Sequence, residues 1–167
     1  MSSIIPVEIV VDAERLQSPE ALADLREKLA DFSPILSEVG KVIEQGLLEN
    51  FDSQGDGSWP ALAPKTVAEK AHHGYPDTPE LREGRLKAAA TQRDAPGHIF
   101  TIGDNSVTVG VDTQIVPYAG VQNDGDPAKG IPPRILVQIG PGYIEAVIDL
   151  ITEWLGGGEA VRVYVSD

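Results

Sequence analysis

The sequence predicts an α+β fold: a mainly antiparallel sheet packed against N-terminal and C-terminal helices, with long Gly/Pro-rich loops. Three observations carry this. An apolar stripe, Leu22, Leu25, Leu29, Phe32, Leu36, Val39, Ile43 and Leu47, advances in alternating steps of three and four residues, the period of an α-helix. The run IFTIGDNSVTVGV alternates apolar and other residues on both sides of a Gly-Asp-Asn-Ser turn, as a hairpin does. The chain also has 17 Gly and 13 Pro, which require many irregular connections.

In chain order, PVEIVV at 6–11 places Val7, Ile9 and Val11 on one face of a first strand. Ser18-Pro19 has the form of an N-cap followed by a first-turn proline. Pro34 falls inside the long stripe and divides it into helices over about 19–31 and 34–50, with Ser33 as the expected cap of the second. Irregular e and g charges and the proline argue against a coiled coil, so the stripe is expected to pack on the protein's own sheet.

After FDSQGDGSWPALAP, TVAEKAHH reads as a short helix closed by Gly74, and a further helical stretch from Thr78-Pro79-Glu80 carries Leu81, Leu86 and several alanines. Phe100 and Ile102, then Val107, Val109 and Val111, form the hairpin. Residues 120–133, GVQNDGDPAKGIPP, read as a second long loop, followed by an apolar run at 135–139. Pro141-Gly142 opens a helix with Ile144, Val147, Ile148, Ile151 and Leu155, ended by Gly156–Gly158; Val161, Val163 and Val165 then mark a last strand.

With 167 residues, a single domain over 1–167 is expected. The net charge of −13, from 13 Lys+Arg against 26 Asp+Glu, gives no gain from counterion release on a phosphate backbone and excludes direct nucleic-acid binding as an expectation. The absence of cysteine removes thiolate and disulfide chemistry, and no segment has the length and apolarity of a signal sequence or membrane span.

Candidate chemistry is sparse. DSQGDG aligns Asp52, Gln54, Asp56 and Gly57 with positions one, three, five and six of a calcium loop, but Ala63 stands at position twelve, where a bidentate Glu is needed. Glu69 and His73 share the four-residue spacing of helical metal ligands without a third ligand nearby, and His72 and His73 also suit a helix C-terminus. There is no Gly-x-Ser-x-Gly elbow and no GxxxxGK[ST] loop. The expectation is a non-enzymatic protein without a cofactor or metal. Trp154 belongs to the last helix stripe, whereas Trp59, between Gly and Pro in GSWPALAPKT, is either an anchor pinning its loop to the body or an interface hot spot.

FDSQGDGSWPALAPKTVAEK, PELREGRLKAAA, VTVGVDTQIVPYAGVQNDG and GIPPRILVQIG, taken in order and spacing over about 35–155, resemble the phage virion morphogenesis or tail-completion family, the Mu G-like proteins of contractile-tailed phages and prophage remnants. Phe51, Trp59, Leu62, Thr66, Lys70, Leu81, Gly84, Leu86, Tyr118, Ala119, Gly125, Pro132 and Arg134 stand at matching positions. Departures include Asn50-Phe51 where many relatives have Arg-Phe, and Pro132-Pro133-Arg134-Ile135-Leu136 where they have Pro-Ala-Arg-Pro-Phe. The N-terminal extension and C-terminal strand lie outside the pattern.

The resemblance implies a structural protein that caps the head-proximal end of a tail and enables head–tail joining. Its implied partners are further copies of itself in a ring such as a hexamer, the tail tube and the head–tail connector. It implies residence in the host cytoplasm during assembly and then in the virion neck. Phe51, Trp59, Leu62, Thr66, Lys70, Gly84, Leu86, Tyr118, Gly125, Pro132 and Arg134 are the implied assembly residues. The two long loops are expected to order on assembly, and Trp59→Ala to impair assembly more than monomer folding. The competing reading is an acidic DNA mimic that inhibits a nucleic-acid-binding protein, resting on the charge alone.

Overall fold

Ser18 caps the first helix as its position demands: its hydroxyl accepts the Ala21 N–H at 3.1 Å, one turn into α1 (Pro19–Ala30). The computed structural model describes residues 7–11, 18–77, 84–156 and 161–165. After α1 come α2 (Ser33–Asp52), α3 (Pro64–His72), α4 (Arg85–Thr91), the hairpin strands β2 (His98–Ile102) and β3 (Val107–Val111), α5 (Tyr118–Asp124), a 3-10 turn at Pro127–Lys129 and α6 (Pro141–Trp154). Strands β1 (Val7–Val11) and β4 (Val161–Val165) lie towards the two ends of the chain.

The class is α+β, as expected. The described strands form two separate two-stranded pairings, β1–β4 and β2–β3. The β1–β4 ribbon is antiparallel, in a register that sets Val7 opposite Val165, Ile9 opposite Val163 and Val11 opposite Val161. No helix among the described residues is long and apolar enough to cross a membrane.

The chain divides into two compact units. One comprises Ser3–Ile43, Thr101–Thr108 and Gly140–Asp167. Its core is Leu25 from α1, Ile35 and Val39 from α2, and Val147, Ile151 and Leu155 from and just beyond α6. Phe32 and Trp154 pack on that cluster with ring centroids 5.8 Å apart. Among the residues whose burial is described, the helical stripe packs on other helices, with Val107 of β3 against the same cluster. Pro34 sits in the first turn of α2, where a missing N–H costs nothing. The cap differs from expectation: Ser33 is already helical, and the Asp31 carboxylate accepts the Ser33 N–H at 2.9 Å, which holds the Asp31 carboxyl below its ordinary value.

The other unit is built mainly from Glu44–Phe100 and Val109–Ile139. Phe51, Trp59, Leu86, Ala89, Ala90, Val111, Val116, Ala119 and Leu136 form its core. Small residues dominate α4 because its inner face, Leu86, Ala89 and Ala90, is almost completely enclosed. The helical stretch expected from Thr78 is described only from Gly84 onward; Thr78, Pro79, Glu80 and Leu81 lie outside the described residues. Residues 120–124 of the expected second loop belong to α5 instead, because Ala119 faces the core and Gly125 supplies the stop.

Candidate interaction cleft

A cleft of about 750 Å³ opens on the second of these units, within the size range of ligand and peptide sites. Eight of the eleven positions singled out by the resemblance line it: Leu62, Thr66, Lys70, Gly84, Leu86, Tyr118, Pro132 and Arg134. Among the described residues, Ala61, Ala63, Glu69, Arg85, Gln122, Gly130 and Ile131 complete the lining. The remaining three do not line it: Phe51 and Trp59 belong to the buried core, and Gly125 ends α5.

Each wall follows from local sequence. Pro64 begins α3 at its first turn, and the helical period brings Thr66, Glu69 and Lys70 to one side. Tyr118 and Gln122, four apart, share a face of α5. The third wall is a closed loop in which Asp126 and Ile131 exchange backbone hydrogen bonds of 2.8 and 2.9 Å. Asp126 also accepts the Ala128 and Lys129 amides, capping the 3-10 turn. The hydrogen bond from Lys129 holds the Asp126 carboxyl below its ordinary value, and Asp126 in turn raises Lys129.

Gly125 is obligatory where α5 meets this loop. Its φ is +77°, in the region that only glycine adopts freely. A Cβ there would come within 2.8 Å of Pro133 N and 2.9 Å of Ile131 O, both backbone atoms that cannot step aside.

Arg134 ties the walls together. Its Nε and Nη2 donate to Pro60 O at 3.2 and 3.0 Å, its Nη1 donates to Gln122 Oε1 at 3.3 Å, and its backbone N–H donates to Gln122 O at 2.9 Å. A single side chain thereby joins the Trp59-Pro60 segment to α5. Asn50 adds a second clamp, donating from Nδ2 to Ile135 O at 3.0 Å and Leu136 O at 2.9 Å, while Asn123 Oδ1 accepts the Leu136 N–H at 2.9 Å. These bonds satisfy the backbone of a segment that belongs to no sheet.

Trp59 is an anchor. It is 8% exposed and meets Phe51 edge to face, centroids 5.4 Å apart at 89°, an arrangement that aromatic pairs favour. Its indole also covers the turn before it: a Cβ on Gly55 would overlap indole Cδ1 and Nε1. Gln54, Gly55, Asp56 and Gly57 all have positive φ, from 54° to 74°. Four consecutive residues therefore wind left-handed between α2 and the anchor. The segment expected to order on assembly is internally bonded, with Gly55 N–H on Asn50 O and Trp59 N–H on Gln54 O. Because Trp59 is core, its replacement strikes folding first, whereas the sequence expectation put assembly first.

The calcium-like stretch is divided between elements: Asp52 closes α2 and pairs with Lys87. His72 and His73 are exposed at the end of α3, while Glu69 lines the cleft. Among the described residues no three His, Cys, Asp or Glu side chains converge as a metal site requires.

A polar cluster that sequence reasoning missed lies in the same unit. The imidazole of His98, with 1% of its side chain exposed, has Nδ1 2.9 Å from Ala89 O and Nε2 3.1 Å from Glu44 Oε1. Arg93 Nε donates to both Glu44 oxygens at 2.9 and 3.0 Å, and its guanidinium stacks 3.6 Å over Phe100, a cation–π contact. Separations of 49 and 54 residues leave no local signal for such a cluster. The same applies to Gln122 and Arg85 in the cleft.

Comparison of the chain with family models, curated proteins and solved structures finds no match.

Proposed function

We propose that this chain is a structural phage or prophage morphogenesis protein of tail-completion type, acting at the head-proximal end of the tail and preparing it to join the head. The observation that supports the reading is a convergence: positions spread from Leu62 to Arg134, chosen by their order and spacing, line one cleft whose walls share Arg134 as a strut. Motif positions that converge on a surface feature, instead of scattering through the core, fit a recognition role. In this reading the chain works without a cofactor, as a ring of copies that meets the tail tube and the head–tail connector. It resides in the host cytoplasm during assembly and in the virion neck afterwards.

The test is deletion of the coding gene from the phage or prophage that carries it, followed by negative-stain electron microscopy of the particles. Full heads beside unattached or abnormally long tails are expected. Normal, infectious particles would overturn the reading and favour the acidic DNA-mimic alternative, which binding to basic nucleic-acid-binding proteins would then identify.

A further inference from the structure

Both nitrogens of the His98 ring face an acceptor. Nδ1 is 2.9 Å from Ala89 O and Nε2 is 3.1 Å from Glu44 Oε1. The side chain is 1% exposed, so bulk water offers neither nitrogen another partner. Ala89 lies in the last turn of α4, where carbonyls run out of helical donors, so its oxygen needs an N–H. Glu44 comes from α2, and both of its oxygens already accept from Arg93 Nε, at 2.9 and 3.0 Å. An ionised carboxylate can only accept.

A neutral imidazole carries one proton and one lone pair. With the proton on Nδ1, the lone pair of Nε2 would face a carboxylate oxygen; with the proton on Nε2, that of Nδ1 would face a carbonyl oxygen. Either tautomer buries one acceptor against another and leaves both unsatisfied. The imidazolium has an N–H at each nitrogen and satisfies both contacts. Its charge also meets the carboxylate that it bonds, a charge-assisted contact that burial strengthens. On the other side of Glu44 stands Arg93, which stacks on Phe100 of the same strand as His98.

We propose that His98 carries both ring protons in the folded chain and acts as a proton-operated clamp that holds β2 to α2 and α4. Glu44, Ala89 and His98 stand far apart along the chain or on different elements, and this one ring joins them. In the unfolded chain the ring faces water, so nothing there holds the second proton. Its loss leaves a lone pair against an acceptor, which opens the clamp as pH rises. The sign follows: the folded state binds the extra proton, so the clamp stabilises the fold while the ring is charged and ceases to as the proton leaves. This device goes beyond the assembly reading and does not depend on it.

Nitrogen-15 spectra of the imidazole rings in the labelled full chain test this. The chain has three histidines, and His72 and His73, exposed at the end of α3, serve as references in the same sample. At about pH 7.5 an ordinary histidine is about nine-tenths neutral. His98 is expected to show a proton on both ring nitrogens there, and one bare nitrogen overturns the proposal. Glu44→Gln removes the anion and is expected to leave a single proton, on Nδ1 and bonded to Ala89 O. A ring still doubly protonated in that variant would overturn the clamp, since Glu44 would not be holding the second proton; should the variant not fold, the wild-type spectra decide alone. Urea midpoints of wild type are expected to fall across the pH range in which the same spectra show the second proton leaving. Midpoints indifferent to that loss would overturn the stabilising role of the charge.

Discussion

The two hydrophobic clusters are made by different means. Around Leu25, Ile35, Val39, Val147 and Ile151, helices contribute stripes at fixed period, and side chains fill the space between them. Around Phe51, Trp59, Val116 and Leu136, α4 contributes three residues, and the end of α2, β3, α5, turns and an extended segment contribute the rest singly. Polar side chains, Arg134, Asn50 and Asn123, then do what a sheet ladder would otherwise do for the backbone. The first cluster is held by buried apolar area. The second depends on particular atoms.

The largest expected effect separates the two tryptophans. Trp59→Ala empties the centre of its cluster and should cost about 3–5 kcal/mol in urea unfolding, whereas Trp154→Ala removes a half-buried ring and should cost clearly less. Equal losses would remove the distinction between the clusters.

Arg134→Ala deletes the strut and leaves Pro60 O without its donors, with an expected loss of about 2–4 kcal/mol. In the other cluster Ile151→Val, which only trims a methylene, should cost about 1 kcal/mol. An Arg134 variant as mild as that would show that the hydrogen bonds to Pro60 are replaceable by water.

Gly55→Ala tests the indole contact by a double-mutant cycle. The substitution should destabilise wild type by about 1–3 kcal/mol, through the left-handed φ and the overlap with Trp59. In the Trp59→Ala background the overlap part disappears, so the two losses should be less than additive. Additive losses would mean that only the backbone conformation matters.

The smallest effect is pH-dependent and concerns both units alike. Asp31 is lowered by the Ser33 amide and Asp126 by Lys129, so each carboxylate contributes stability above its ordinary pKa of 3.8. That contribution is lost as pH falls through the lower folded value. Lys129, raised by Asp126, behaves oppositely: its contribution is complete below 10.5 and lost as pH rises through its folded value. Urea midpoints should therefore fall on acidification below about pH 4, and Asp31→Asn and Asp126→Asn should each flatten part of that fall.

The two clusters also differ in how far they were legible. Period and caps were sufficient for α1, α2 and α6, because a helix satisfies its backbone within itself and needs only a face to bury. Even there, Asp31 rather than Ser33 capped α2, a choice of one hydroxyl or carboxylate over another two residues away. In the second unit residues 120–124 of α5 have the composition of a loop, because Gly, Asn and Asp weigh against a helix until Ala119 is buried.

The α+β class, the helical stripes, the hairpin and the charge of −13 follow from the sequence, since periodicity and composition are local properties. That Lys70, Arg85, Tyr118 and Arg134 line one cleft and that Trp59 is buried emerges from the folded chain alone. Only it brought His98 to Glu44 and Arg134 to Pro60. The physical reason is separation: Arg134 reaches Pro60 across 74 residues. No local preference records which distant carbonyl a buried guanidinium will find.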